Sequence, residues 1–262
     1  GSFTFGLATA AIFTTAGHPF LGILASLVAG ALAGCVTGLL QTKLNIHPVL
    51  TGILTMSGLY SINTVVLGGT PNLTLIGKET IFTLAQSAFP MLEREAVKLL
   101  MAVLVSVVCT VALVAFFRTR LGLCIRATGD NTDMVKASSI NVDRMKCIAL
   151  ALSNGLIALC GGLIAQYQSF ADINSGVGIL VVGLASVIIG EAFFGKRSVT
   201  IGFISAIFGS VVYRYIIAMA TKADWFPAYM LKLVSAVIVT LALAIPAIKS
   251  MMEVQKIRRG GK

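Results

Sequence analysis

Apolar runs of about 20 residues recur along the whole chain, long enough to cross the ~30 Å hydrocarbon core of a bilayer as helices. Eight can be read, near 3–17, 20–41, 48–67, 96–117, 147–168, 176–195, 198–220 and 230–248. Backbone groups in lipid must bond within their own segment, and none of these runs alternates as a barrel strand would. The expected fold is therefore an all-α, polytopic bundle of about eight spans. Residues 1–262 form a single transmembrane domain in this reading, with one long polar loop at 118–146. Only 11% of the residues are charged, against roughly 25% in a soluble domain. The first run is short, as expected of a clipped or broken helix, and no basic leader precedes it; if it is clipped, a further N-terminal span is the expected loss.

The net charge of +10 suggests nucleic acid until the basic residues are placed. With the C-terminal tail (Lys249, Lys256, Arg258, Arg259, Lys262) on the cytoplasmic side, alternation puts Lys43, Lys196 and Arg197 there too. The same face holds Arg118, Arg120, Arg126, Lys136, Arg144 and Lys146. Lys78, Arg94, Lys98, Lys222 and Lys232 fall outside, and Arg214 lies within a span. This asymmetry is the positive-inside pattern of a plasma-membrane protein with a cytoplasmic C-terminus. It assigns the charge to topology and not to a nucleic-acid partner.

The five cysteines (35, 109, 124, 147, 160) form no CxxC pair and have no histidine at ligand spacing, so neither a disulfide framework nor a metal site is expected. His18 and His47 each precede a proline at a span end, which reads as helix entry. Small residues recur every fourth position in two spans: Ser26, Gly30, Gly34, Gly38, and Gly202, Ala206, Ser210. Such stripes let backbones approach closely, either within one subunit or between two.

The 118–146 loop is too polar to cross the membrane and yet carries helix signals. Gly129 permits a turn, Asp130 can cap a helix with Asp133 three residues on, and Met134, Val135 and Ala137 give that helix an apolar side. One short helix over about 130–139 is expected, before Ile140, Asn141 and Asp143 open the next span. It is either a solvated connector or an element that docks a partner.

Intramembrane polar residues separate the mechanisms that remain. Glu191 is the one acidic residue within an apolar run, close to Lys196 and Arg197 and near a span end, which makes a poor ion relay. It reads as a structural partner of those cations or as a gate. Arg214 either snorkels outward or faces the pathway. Thr55, Ser57, Tyr60 and Asn63 form a polar stripe, and Ser153 and Asn154 lie in a later span. These line a cavity or bond neighbouring helices. An ion-coupled transporter acting alone is the alternative class, and the missing midplane carboxylate counts against it. No catalytic cluster supports a membrane enzyme.

The run from Arg126 through Gly129, Asp130 and Asn131, followed by Ile140-Asn141 and the span with Ser153, Gly155, Gly161 and Gly162, resembles the coupling region of ABC importer permeases of the branched-chain amino acid and ribose type. The opening Gly1-Ser2-Phe3-Thr4, the stretch from Thr37-Gly38 through Lys43 to His47-Pro48, and Gly190-Glu191 with Gly195 fit as well. The chain is more similar still to permeases paired with tryptophan/tyrosine-type binding proteins. The resemblance implies a bacterial importer for a small polar nutrient, most simply an amino acid, with sugars and nucleosides as other substrates. It implies a second permease as partner, expected as a homodimer, together with cytoplasmic ATP-binding subunits and an external substrate-binding protein. Arg126, Gly129, Asp130, Asn131, Asp133, Lys136, Ile140 and Asn141 would form the coupling helix and its flanks. No GxxxxGK[ST] occurs in the chain, so ATP and magnesium would be bound by the partner ATPase.

Overall fold

The computed structural model describes residues 1–195 and 198–222, with four residues between 233 and 240. Ten helices lie among the described residues: α1 (Ser2–Thr15), α2 (Pro19–Lys43), α3 (Pro48–Val66), α4 (Ile81–Ala88), α5 (Arg94–Arg118), α6 (Arg120–Asp130), α7 (Thr132–Ala137), α8 (Val142–Gln168), α9 (Ile179–Phe194) and α10 (Val199–Lys222). His18 and His47 occupy the N-cap positions of α2 and α3 with the following proline inside the first turn, where its missing N–H costs nothing.

Six helical stretches among the described residues are long and apolar enough to cross a membrane: α2, α3, α5, α8, Ile173–Phe194 and Val199–Met219. The all-α membrane class stands, and the described residues account for six of the eight expected spans. The expected span at 3–17 is α1, whose 14 residues reach only about 21 Å. The expected span at 230–248 lies outside the described residues.

The chain forms two compact units, Gly1–Gly176 and Val177 onward. In the first, α1 is sheathed by α2 and α8, with Leu7, Ala8, Ala10 and Ala11 fully buried. Its partners on α8 keep a constant register. Ser2 meets Asn154, Gly6 meets Ala158, Ala10 meets Gly162 and Thr14 meets Gln166, so the two helices run parallel with matched four-residue ridges. α2 runs antiparallel to α8, and its small stripe is the seam. A Cβ at Gly30 or Gly34 would strike the backbone of Asn154 or Leu150, and one at Gly38 would lie 2.9 Å from Cys147 Cα. This stripe packs within one subunit.

In the second unit α9 crosses α10 at Gly190 and Gly209. A Cβ at either would meet a backbone carbonyl oxygen, of Ser205 and Ser186 respectively. The expected stripe of Gly202, Ala206 and Ser210 is not this seam, since Gly202 faces open space. The packed face is displaced by one residue, through Ser205 and Gly209.

Two features are absent from the all-helical reading. Strand β1 (Asn72–Thr74) pairs antiparallel with β2 (Phe170–Asp172), Leu73 opposite Ala171, and a 3-10 turn follows at Ile173–Gly176. Leu75 N donates to Ser169 O and Ile173 N to Pro71 O, extending the ladder at both ends. Helix α4 is closed by a reciprocal box, Thr83 N to Thr80 Oγ1 and Thr80 N to Thr83 Oγ1, which satisfies two orphan donors.

Candidate functional site

The 118–146 segment is a chain of capped helices. Thr119 leaves helical geometry after α5 and its hydroxyl oxygen accepts from Gly122 N. Gly122 sits hard against the Phe116 carbonyl and Phe117 Cα, so α6 folds back sharply at the end of α5. Asn131 is extended, at φ −154° and ψ 104°. Its Oδ1 accepts from Asp133 N at 3.0 Å and Met134 N at 3.1 Å, which starts α7. Asn141 repeats the device, accepting from Arg144 N at 3.0 Å to start α8. Between them the chain reverses at Ser139, φ +60°, and Ile140 N returns to Val135 O.

The short helix expected over 130–139 is α7, with its cap at Asn131 and not Asp130, and a further helix not expected in this segment, α6, precedes it. Asn131 N donates to Ala127 O, so α6 continues through Gly129 and Asp130 and the break falls one residue later. Gly129 has no left-handed geometry and serves as no turn. The apolar side of α7 is narrower than expected. Val135 alone is buried, while Met134 is 66% exposed. Arg126, Asp130, Asn131, Asp133 and Lys136 are all exposed. Asp133 in the first turn of α7 and Lys136 in its last complement the helix dipole.

The polar residues within the spans separate into distinct settings. Thr55 Oγ1 donates to Thr51 O and accepts from Thr37 Oγ1 at 3.1 Å, joining α3 to α2. Thr55 also lines a cavity of about 360 Å³ between these helices. Asn154 accepts from Ser2 Oγ and donates to Leu150 O, so its amide bonds α1 to α8. Ser57, Tyr60 and Ser153 are exposed. Asn63 is 1% exposed and its Oδ1 has no partner among the described residues. In the second unit Glu191 is half-buried and lies in the last turn of α9, while Arg214 is exposed beside the buried Tyr213. Lys196 and Arg197 lie outside the described residues.

A family model described as the permease component of branched-chain amino acid transport systems matches residues 1–243. The chain belongs to that family. This permease is 36% identical to the tyrosine transport system permease protein of Clostridioides difficile over 245 residues, 93% of the chain and 79% of that protein. An uncharacterized protein of Rickettsia prowazekii, RP368, is 31% identical over 67% of the chain and 59% of its own length. The ribose import permease protein RbsC of Escherichia coli K12 is 26% identical over 71% of the chain and 56% of its own length. No solved structure matches. The permease is thus a multi-pass membrane component of an importer, of the ABC type.

One residue that holds the permease together escaped the sequence reading. Gln166 is 1% exposed. Its Nε2 donates to Thr14 Oγ1 and Pro19 O, and its Oε1 accepts from Ile81 N at 3.0 Å. One amide thereby ties the end of α1 and the starts of α2 and α4 to α8. The available signal was a glutamine within an apolar run, where a polar group must find partners.

Proposed function

We propose that this permease is the membrane subunit of an ATP-driven importer for an amino acid or a comparable small polar nutrient. The observation that carries the coupling role is α7. It is a six-residue helix seated by Val135, capped by Asn131, and otherwise presented outward on α6 and α8. A connector has no need of consecutive Asn caps, whereas an element that transmits motion must be stiff at both ends. Arg126, Gly129, Asp130, Asn131, Asp133, Lys136, Ile140 and Asn141 form this surface. ATP-binding subunits would press on it from the cytoplasm, holding ATP and magnesium themselves.

The remaining assignments follow from that arrangement. The protein resides in the bacterial plasma membrane with a cytoplasmic C-terminus, residues 1–262 acting as one permease domain. It pairs with a second copy, and an external substrate-binding protein delivers the nutrient. Thr55, Ser57, Asn63, Asn154, Glu191 and Arg214 are the pathway or gate candidates. Among them Asn63 is favoured by its unpaired buried oxygen, a group that costs about 1–3 kcal/mol if it never finds a partner. The tyrosine permease relative supports an amino acid, and the ribose relative keeps a sugar as the second reading.

Reconstitution in vesicles with the binding protein and ATPase tests the proposal. ATP-dependent uptake of labelled tyrosine, abolished when 130–139 is replaced by a Gly/Ser linker while ATPase activity persists, is the expected result. Full uptake with the linker would end the coupling assignment. Uptake driven by an ion gradient without ATP would establish a secondary transporter instead.

A further inference from the structure

Helix α5 is the least enclosed part of the first unit: of its 25 residues only Val97 is buried. Its packing is supplied by α4 and α6, and an apolar cavity of about 350 Å³ lies between α5 and α8. One wall runs from Met101 to Leu113 and the other from Leu156 to Tyr167. At 1.5 Å per residue each wall is about 16–18 Å long, close to the ~15 Å depth of one leaflet. Of the two hydroxyl-bearing residues on this lining, Ser106 and Tyr167, Ser106 is already bonded to Ala102 O.

A groove this long, lined almost entirely by apolar side chains, suits a hydrocarbon chain lying along it. Its mouth is chemically marked. The Tyr167 ring packs edge-on to Phe82, and Lys98 Nζ lies 5.0 Å above the Tyr167 ring and 2.9 Å from Glu95 Oε1. The ammonium has three N–H donors. Glu95 and the ring face engage two, which leaves one for a phosphate oxygen. The exposed Glu95 carboxylate can still accept from a headgroup amine, and the Glu95–Lys98 pair carries no net charge.

We propose that this groove binds one acyl chain of a phospholipid with a zwitterionic, amine-bearing headgroup, its phosphate on Lys98 and its ammonium on Glu95. The site depends on membrane embedding alone and not on how transport is energised.

The test uses the full chain in nanodiscs with phosphatidylethanolamine carrying a diazirine in its acyl chain, and phosphatidylglycerol as competitor. Crosslinks should map to the 101–113 and 156–167 walls, with the ethanolamine lipid retained in preference. Lys98→Gln should lower that retention about tenfold, the effect of one charge-assisted hydrogen bond, and Lys98→Arg should restore it. Ala102→Trp should remove the groove crosslinks, while Val108→Trp, on the exposed side of α5, should leave them. Should Ala102→Trp fail to fold, the Lys98 pair and the headgroup competition on the unaltered chain decide. Crosslinks spread evenly around α5, or equal retention of the two lipids, would each overturn the proposal.

Discussion

Replacing Asn131 with alanine removes both hydrogen bonds that start α7, those from Asp133 N and Met134 N. Losing an N-cap costs about 0.5–2 kcal/mol. The loss falls on a helix of six residues, too short to persist alone and anchored by the single buried side chain of Val135. The effect should therefore be local. A change of one to two kcal/mol corresponds to a factor of about 5–30 in the opening equilibrium. Amide exchange across 132–137 should accelerate by that factor, while exchange within α8 beyond Met145 and the thermal midpoint stay unchanged. In vesicles with ATPase and binding protein, ATP hydrolysis should persist as uptake falls. Asn131→Asp keeps the acceptor oxygen and should restore both protection and uptake. Unaltered exchange in the alanine variant would refute the capping argument. Accelerated exchange with full uptake would instead separate α7 from coupling.

Other perturbations reach different parts of the molecule. Gly34→Val places branched carbon against Leu150 O and Ala151 Cα, so overpacking should cost at least about 1–3 kcal/mol. Gly52→Ala, facing open space inside α3, should hold or slightly raise the melting temperature in detergent. Gln166→Leu leaves Ile81 N without its partner and removes one bond each from Pro19 O and from Thr14 Oγ1, which still donates to Ala10 O; a loss of about 1–3 kcal/mol is expected, read as a lower melting temperature and faster exchange at the start of α4. Asn63→Leu removes an amide oxygen that has no partner among the described residues, so stability should hold or rise; reduced uptake would then mark Asn63 as a pathway residue, and unchanged uptake would remove it from the candidates. Arg214→Gln should impair uptake without disturbing assembly, and normal uptake would take Arg214 out of the pathway.

Much of the 118–146 segment was legible because helix caps are local. An Asn or Asp beside a polar-to-apolar switch announces a helix start, and the region proved helical and capped. The choice between Asp130 and Asn131 was not local. It turned on whether Asn131 N would reach Ala127 O and extend α6, which depends on how α6 folds back on α5 at Gly122. The pathway candidates were less legible still. Thr55, Asn63 and Asn154 look alike in an apolar run, yet one bonds across a helix pair and lines a cavity, one is buried with an open acceptor, and one is satisfied on both sides.

Span length, scarcity of charge and proline-marked entries are properties of a segment and its solvent, so the sequence alone determined a helical membrane protein and the starts of α2 and α3. Neighbours decided the rest. Two small-residue stripes with similar spacing met different fates because one faces α8 and the other lies one residue off the α9 seam. Chain segments as far apart as Asn72 and Asp172 met as strands because packing of α1, α3 and α8 brings their ends together. Neither outcome is written in a window of 20 residues, since each depends on which backbone stands opposite.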